Sequence, residues 1–134
     1  MSNFTPISSI AGIVAGARAA FTSGRTLPLS WRYSQLRALV RMVEENREAI
    51  IAALAADLQK PRFEADLNEV ELVLHEARHA IANLAAWAAP ETVHTPAMYL
   101  PATCYRYRDP LGVVCIITPW NFPFCAWGAA RGAH

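Results

Sequence analysis

The stretch PLGVVCIITPWNFPF, residues 110–124, decides the fold. Its centre, GVVCIIT at 112–118, is a continuous run rich in β-branched residues and bounded by Pro110 and Pro119. A run of this kind is typical of a strand that is buried on both faces, as in a parallel sheet covered by helices. We therefore predict a buried strand here, followed by a turn at Pro119-Trp120-Asn121 and a helix that starts near Pro123. The three turn residues 119–121 are called the Pro-Trp-Asn corner below.

Upstream of this stretch, apolar residues recur at helical spacing. Residues 8–22 predict a first helix that stops at Ser23-Gly24, and a second helix is predicted from Ser30 to about Lys60, where Pro61 ends it. A third is predicted over 63–88, because one face repeats at steps of three and four before Pro90. The residues of that face are Leu67, Val70, Leu74, Ala77, Ile81, Leu84 and Ala88.

The chain changes character after the helices. Residues 92–110 carry prolines, tyrosines and alternating polar positions, which indicates extended segments in a hairpin or at a sheet edge. We predict an α/β chain with a helical region at 1–91, an extended arm at 92–110, the strand and corner at 111–124, and a separate tail at 125–134.

The Pro-Trp-Asn corner is the candidate functional site. Ligands in α/β folds bind at the carboxyl ends of parallel strands. The Asn121 amide can donate a hydrogen bond to a developing negative charge, and Trp120 offers a flat apolar wall. A second reading gives Asn121 a purely structural role as the N-cap of the helix before Pro123.

The corner TPWNFPF, with PLGVV before it, resembles the aldehyde dehydrogenase superfamily. The stretch SGRTLPLSWRYSQLRALVRMVEENREAIIAALAADLQKPRFEADLNEVELVL, residues 23–74, is similar to the amino-terminal part of the class-3 type, which handles fatty and aromatic aldehydes. The resemblance covers residues 10 to 124. It implies that the strand at 112–118 is the first strand of a Rossmann-like cofactor domain, and that the domain is incomplete here.

The resemblance also implies residue roles. In that family a cysteine thiolate attacks the aldehyde carbon, the asparagine amide and a backbone N–H hold the oxyanion, and hydride passes to NAD or NADP before a glutamate-activated water releases the acid. Asn121 is then the catalytic oxyanion donor. Thr118, Pro119 and Trp120 match positions that line the cofactor cleft.

The catalytic cysteine and glutamate of the family lie beyond this region, so the chain is expected to be a truncated enzyme, inactive alone and without bound cofactor. The tail CAWGAARGAH, 125–134, does not resemble the family. A Cys125 nucleophile with His134 as its base is disfavoured, since His134 is the last residue. The alternative function is a non-catalytic module that associates with a full-length homologue, because residues 95–107 resemble the family's subunit-association arm.

HEARH, residues 75–79, has the H-E-x-x-H form of zinc metalloproteases. On the predicted helix both histidines lie away from the apolar stripe, whereas a catalytic pair must face a walled cleft. We therefore predict no metal site.

Composition and charge narrow the classes of molecule that the chain could bind. The 134 residues carry a formal net charge of +1 with no basic run, which disfavours nucleic acid. No apolar run reaches the roughly 20 residues of a membrane span. Cys104, Cys115 and Cys125 are an odd number and form neither a disulfide framework nor a C-x-x-C site, which favours a reducing cytoplasm. Hydrophobic residues make up 54% of the chain, which predicts exposed apolar surface or a missing partner. The family resemblance implies an aldehyde substrate and a possible oligomer with a full-length homologue.

Overall fold

The computed structural model describes residues 5–132, with side chains in the last helix described as far as residue 126 and at residue 128. Helices dominate it. They are α1 (Ile7–Thr22), α2 (Leu29–Glu45), α3 (Arg47–Leu58), α4 (Arg62–Ala65), a π-helical segment (Asp66–Glu71), α5 (Leu72–Ala88) and α6 (Pro123–Gly132). Two strands, β1 (Glu91–Val93) and β2 (Cys104–Arg106), and a 3₁₀ turn (Ala97–Tyr99) complete the described part.

The predicted second helix is two helices. Asn46 lies between α2 and α3 with φ −109° and ψ 11°, outside the helical region, and its Nδ2 donates to the Met42 carbonyl at 2.7 Å. An asparagine can satisfy a helix-end carbonyl in this way, so the helix is interrupted here without Gly or Pro. At the other end Gln59 adopts a left-handed conformation and Pro61 follows, so the helix ends close to where the sequence predicts.

The predicted third helix is present over residues 62–88, but its phase is shifted. The π-helical segment at Asp66–Glu71 inserts a wider turn, which rotates the residues on either side of it relative to each other. Leu67, predicted to be buried, is therefore 52% exposed, whereas Glu69, Val73 and Ala80 are buried outside the predicted stripe. Val70, Leu74 and Ala77 of that stripe are buried as predicted.

The core lies where α2, α3, α5 and the start of α6 meet. Val43 of α2, Val70 of the π-helical segment, and Val73 and Leu74 of α5 are almost fully buried, and Cys125 of α6 joins them. By contrast α1 has no buried residue. Burial of apolar side chains at about 25 cal/mol per Å² therefore stabilises the helices around α5 rather than the amino-terminal one.

An antiparallel hairpin forms between Glu91–Val93 and Cys104–Arg106, whereas the bounds 92–110 of the extended arm stay a prediction. Glu91 pairs with Arg106, Thr92 with Tyr105 and Val93 with Cys104. The Arg106 and Arg108 guanidinium groups both contact Glu91 Oε2, at 2.7 and 3.0 Å.

Residues 112–118 differ from the prediction. The described part of the chain gives them no strand partner, and their apolar side chains are exposed, Ile117 at 92%. A parallel strand obtains its hydrogen bonds and its covered faces from neighbouring strands. Within residues 5–132 the only sheet is the β1–β2 hairpin, so residues 112–118 have no neighbouring strand there with which to pair.

Among the described residues, no helix combines the length and the apolar character that crossing a membrane would require.

Candidate active-site corner

The Pro-Trp-Asn corner connects the exposed run at 112–118 to helix α6. Thr118 is half-buried, Pro119 and Asn121 are exposed, and Trp120 is 90% exposed. The structure thus brings the four predicted site residues together on one accessible turn. Asn121 also lines an open cavity of about 380 Å³. The other residues around that cavity are Leu58, Gln59, Lys60, Pro61, Glu64 and Phe122.

Glu69, rather than Asn121, caps helix α6. Its Oε2 accepts hydrogen bonds from the backbone N–H groups of Phe124 at 3.0 Å and Cys125 at 2.8 Å. The first N–H groups of a helix have no partner within the helix, and a carboxylate there is also stabilised by the helix dipole. The predicted alternative role of Asn121 as a cap is therefore filled by a residue more than 50 positions away. Within the described residues the Asn121 side chain makes no hydrogen bond.

Lys60 neutralises the buried Glu69 carboxylate. Its Nζ pairs with Glu69 Oε1, and the two side chains are 8% and 0% exposed. The same ammonium lies 4.0 Å from the centroid of the Phe122 ring, a cation–π contact. Removing one partner of such a buried pair typically costs about 3–5 kcal/mol, because the other charge stays buried without compensation. We call this arrangement the Glu69–Lys60 pair.

Helix α6 can approach α5 closely because residue 128 is glycine. A Cβ placed there would lie 2.4 Å from Val73 Cγ2, which is closer than side-chain atoms tolerate. Because Gly128 has no side chain, α6 can pack directly against Val73. This close packing places the amino terminus of α6 within hydrogen-bond distance of Glu69.

Cys125 is a packed core residue. It is 7% exposed, and burial, followed by the nearby Glu69 carboxylate, raises the pKa of its thiol. A nucleophilic cysteine needs the opposite shift. His134, the base considered with it, lies outside the described residues.

The HEARH histidines face solvent, as predicted. The His75 and His79 rings stack with centroids 6.4 Å apart, and the His79 ring lies 5.4 Å from the Trp87 ring. Arg78 pairs with Glu44 at 2.7 Å. Across the part of the chain that the structure describes, no three His, Cys, Asp or Glu side chains converge in a way that could hold a metal ion.

Sequence reasoning found the corner but missed the Glu69–Lys60 pair. The local signal was weak, since Val73 and Ala77 lie four and eight positions after Glu69, but Glu76 lies seven positions after it on the same face of a regular helix. A carboxylate at such a position needs a partner, because an unpaired buried charge is costly.

A comparison with protein families matches residues 7–131 to the aldehyde dehydrogenase family. The chain belongs to the aldehyde dehydrogenase family. The matched region includes the predicted corner and continues seven residues beyond Phe124, into the segment predicted to be a separate tail. That boundary stays a prediction.

Curated relatives place this aldehyde dehydrogenase chain with family 3, which confirms the class-3 resemblance. It is 45% identical over 118 residues to the dimeric NADP-preferring aldehyde dehydrogenase of Canis lupus familiaris, covering 88% of this chain and 26% of the relative. It is 43% identical over 112 residues to the chloroplastic aldehyde dehydrogenase family 3 member I1 of Arabidopsis thaliana, covering 84% and 20%. The chain thus spans about a quarter of the length of these relatives.

A solved structure shows the same arrangement. The substrate-bound state of Staphylococcus aureus AldH matches this aldehyde dehydrogenase chain with a TM-score of 0.84 at 28% identity. The match covers 96% of this chain and 29% of the solved one. The described fold is therefore that of one part of the aldehyde dehydrogenase architecture, an incomplete domain of the complete fold.

Proposed function

We propose that residues 7–131 serve in the NAD(P)-dependent oxidation of an aldehyde to a carboxylic acid, and that they contribute Asn121 as oxyanion donor. The observation that carries this proposal is the exposed Asn121 amide, which makes no hydrogen bond within the described residues and borders an open cavity. Family membership supports the reaction class. The aldehyde and the choice between NAD and NADP are left open.

In this proposal Asn121 acts when a thiolate adds to the aldehyde carbon. The carbonyl oxygen then gains negative charge, and the Asn121 Nδ2–H donates a hydrogen bond to it. Such a bond accelerates the reaction only if it is stronger in the transition state than in the ground state. A side chain already satisfied as a helix cap would be less free for this purpose, so the capping of α6 by Glu69 supports the assignment.

The chain alone is proposed to be inactive. Cys125 is buried with a raised pKa, which makes it a poor nucleophile. We also propose that the chain alone does not hold the phosphates of NAD or NADP at the amino terminus of α6. The α6 amides of Phe124 and Cys125, which a phosphate would need, are already bonded to Glu69. Thr118, Pro119 and Trp120 are proposed only as a wall of the cofactor cleft.

A second proposal is association with a full-length homologue. Apolar side chains are exposed along 111–120, with Leu111 at 85% and Trp120 at 90%. Surfaces of this kind typically mark contact regions. Co-expression with a full-length family 3 relative and size-exclusion chromatography tests it, because a stable mixed complex is expected and separate elution would contradict it. A cytoplasmic location stays a prediction.

Two assays test the enzymatic proposal. The purified chain with a medium-chain aldehyde and NAD⁺ or NADP⁺ is expected to give no absorbance rise at 340 nm, and turnover would refute its inactivity. A chimera in which residues 7–131 replace the matching segment of the canine relative is expected to oxidise aldehyde. A folded but inactive chimera would count against the proposal that this segment supports catalysis.

A further inference from the structure

We propose that Glu69, held by Lys60, is a positioning residue that fixes Asn121 at the Pro-Trp-Asn corner. This inference rests on the proposed role of Asn121 as oxyanion donor. Glu69 does not touch the cavity at which Asn121 lies. It acts through the backbone that follows the corner and through the lysine that borders that cavity.

Two attachments hold the chain immediately after Asn121. Glu69 Oε2 binds the amides of Phe124 and Cys125, three and four residues beyond Asn121. Lys60 Nζ pairs with the other carboxylate oxygen and lies against the ring of Phe122, the residue next to Asn121. One ion pair therefore anchors both the helix start and the side chain beside the asparagine.

Asn121 has no anchor of its own. Its side chain is exposed and makes no hydrogen bond to the rest of the described chain. Its place is therefore set by its backbone, and that backbone is fixed by the Glu69–Lys60 pair. A misplacement of about 1 Å in a catalytic group can lower a rate by about 10²-fold.

The pair also fixes the orientation of its own hydrogen bonds. The two backbone N–H donors face Oε2 of Glu69, and the Lys60 ammonium faces Oε1, so both carboxylate oxygens must accept hydrogen bonds. In a Glu69→Gln variant an NH₂ donor replaces one of these two oxygens, and it must face either the two backbone amides or Lys60. A Lys60→Met/Glu69→Gln double variant removes this conflict, because the glutamine oxygen can then face the amides.

Amide hydrogen exchange in the full 134-residue chain tests the attachment without any activity. In Glu69→Gln the exchange of core amides such as those of Val43 and Val73 measures the general loss of stability that breaking the pair causes. The Phe124 and Cys125 amides are expected to accelerate by at least about tenfold more than these core amides, the equivalent of 1.4 kcal/mol of local protection. In the double variant, protection at Phe124 and Cys125 is expected to return to within about threefold of the parent, because the conflict between donors is removed. Unchanged exchange at these two amides, or a rise in step with the core, overturns the proposal.

The chimera tests the consequence for Asn121. Glu69→Gln is expected to lower kcat at least about tenfold with little change in KM, as the loss of a transition-state interaction would. The double variant is expected to recover only part of this loss, because it restores an acceptor for the α6 amides but not the contact of Lys60 with Phe122. A matched Glu44→Gln variant, at the exposed Arg78 pair, is expected to keep the parent kcat. A drop in kcat for Asn121→Ala without one for Glu69→Gln overturns this inference alone. If Asn121→Ala leaves kcat unchanged, the proposed function fails, while the exchange measurement still decides whether Glu69 anchors the corner.

Discussion

Glu69 Oε2 accepts a hydrogen bond from the Cys125 N–H at 2.8 Å, across 56 residues of sequence. This contact joins the π-helical segment to the first turn of α6 at the point where the chain leaves the Pro-Trp-Asn corner. The helical amino-terminal region therefore holds the candidate catalytic turn directly, through a charged side chain rather than through general packing.

Gly128→Ala is expected to destabilise the protein. The new methyl group would meet Val73 at 2.4 Å, and overpacking of this kind typically costs about 1–3 kcal/mol. Gly16→Ala is the matched control, because nothing lies within 4 Å of its Cβ position in α1. It is expected to be neutral or to stabilise by up to about 1 kcal/mol, since alanine favours helices. Urea unfolding of both variants measures the difference, and equal effects would contradict the close approach of α6 to Val73.

The cysteines are expected to react with a disulfide reagent in the order of their exposure. Cys115 is exposed and Cys104 is half-buried, whereas Cys125 is buried with its pKa raised above the ordinary 9.0. Single-cysteine variants separate the three rates at pH 7.5. A Cys125 rate equal to that of Cys115 would show that Cys125 is not in the core.

The Cys125 thiol is expected to lower the stability of the protein at alkaline pH. Because the folded-state pKa of Cys125 is raised, its contribution to stability is complete below pH 9.0, the ordinary value, and is lost as the pH rises toward the folded value. Cys125→Ala is expected to flatten the fall in unfolding free energy above pH 9. An unchanged slope in that variant would assign the fall to other groups.

The β1–β2 hairpin is expected to loosen in acid. The Arg106 guanidinium, and then that of Arg108, lower the pKa of Glu91 from its ordinary 4.5. Stability from a carboxylate with a lowered pKa is present above the ordinary value and is lost as the pH falls through the folded value. Cross-strand NOEs between Thr92 and Tyr105 are therefore expected to weaken below pH 4.5. In Glu91→Gln they should be weaker at neutral pH and nearly independent of pH, and a pH dependence like that of the parent would contradict the role of Glu91.

The sequence predicted most helix positions, the hairpin and the corner because local chemistry determines them. Apolar spacing and the prolines at 61 and 90 bound the helices, and the alternation around Tyr105 marks the strands. The π-helical segment was not predicted, because the spacing of apolar residues indicates a helix only at a constant 3.6 residues per turn. Its wider turn is what buries Glu69, and Arg47 lies 2.7 Å from both Asp66 and Glu71 at its two ends.

The contact with Asp66 Oδ1 is an ion pair without the alignment of a hydrogen bond. Arg47 belongs to α3, whereas Asp66 and Glu71 belong to the π-helical segment, so these charges are not visible as a local motif. The strand at 112–118 was predicted from its composition alone, and composition does not supply the neighbouring strands that such a run needs.

The most direct test of Asn121 as oxyanion donor is the kcat of the chimera with Asn121→Ala, compared with the kcat of the chimera with Asn83→Ala. Asn83 is the matched control because, among the residues that the structure describes, its amide bonds to His79 of its own helix. Asn121→Ala is expected to lower kcat by about 10²–10³, the usual effect of losing an oxyanion donor, while Asn83→Ala is expected to leave it within about twofold of the parent. A folded Asn121→Ala chimera that retains the parent kcat would contradict this role of Asn121.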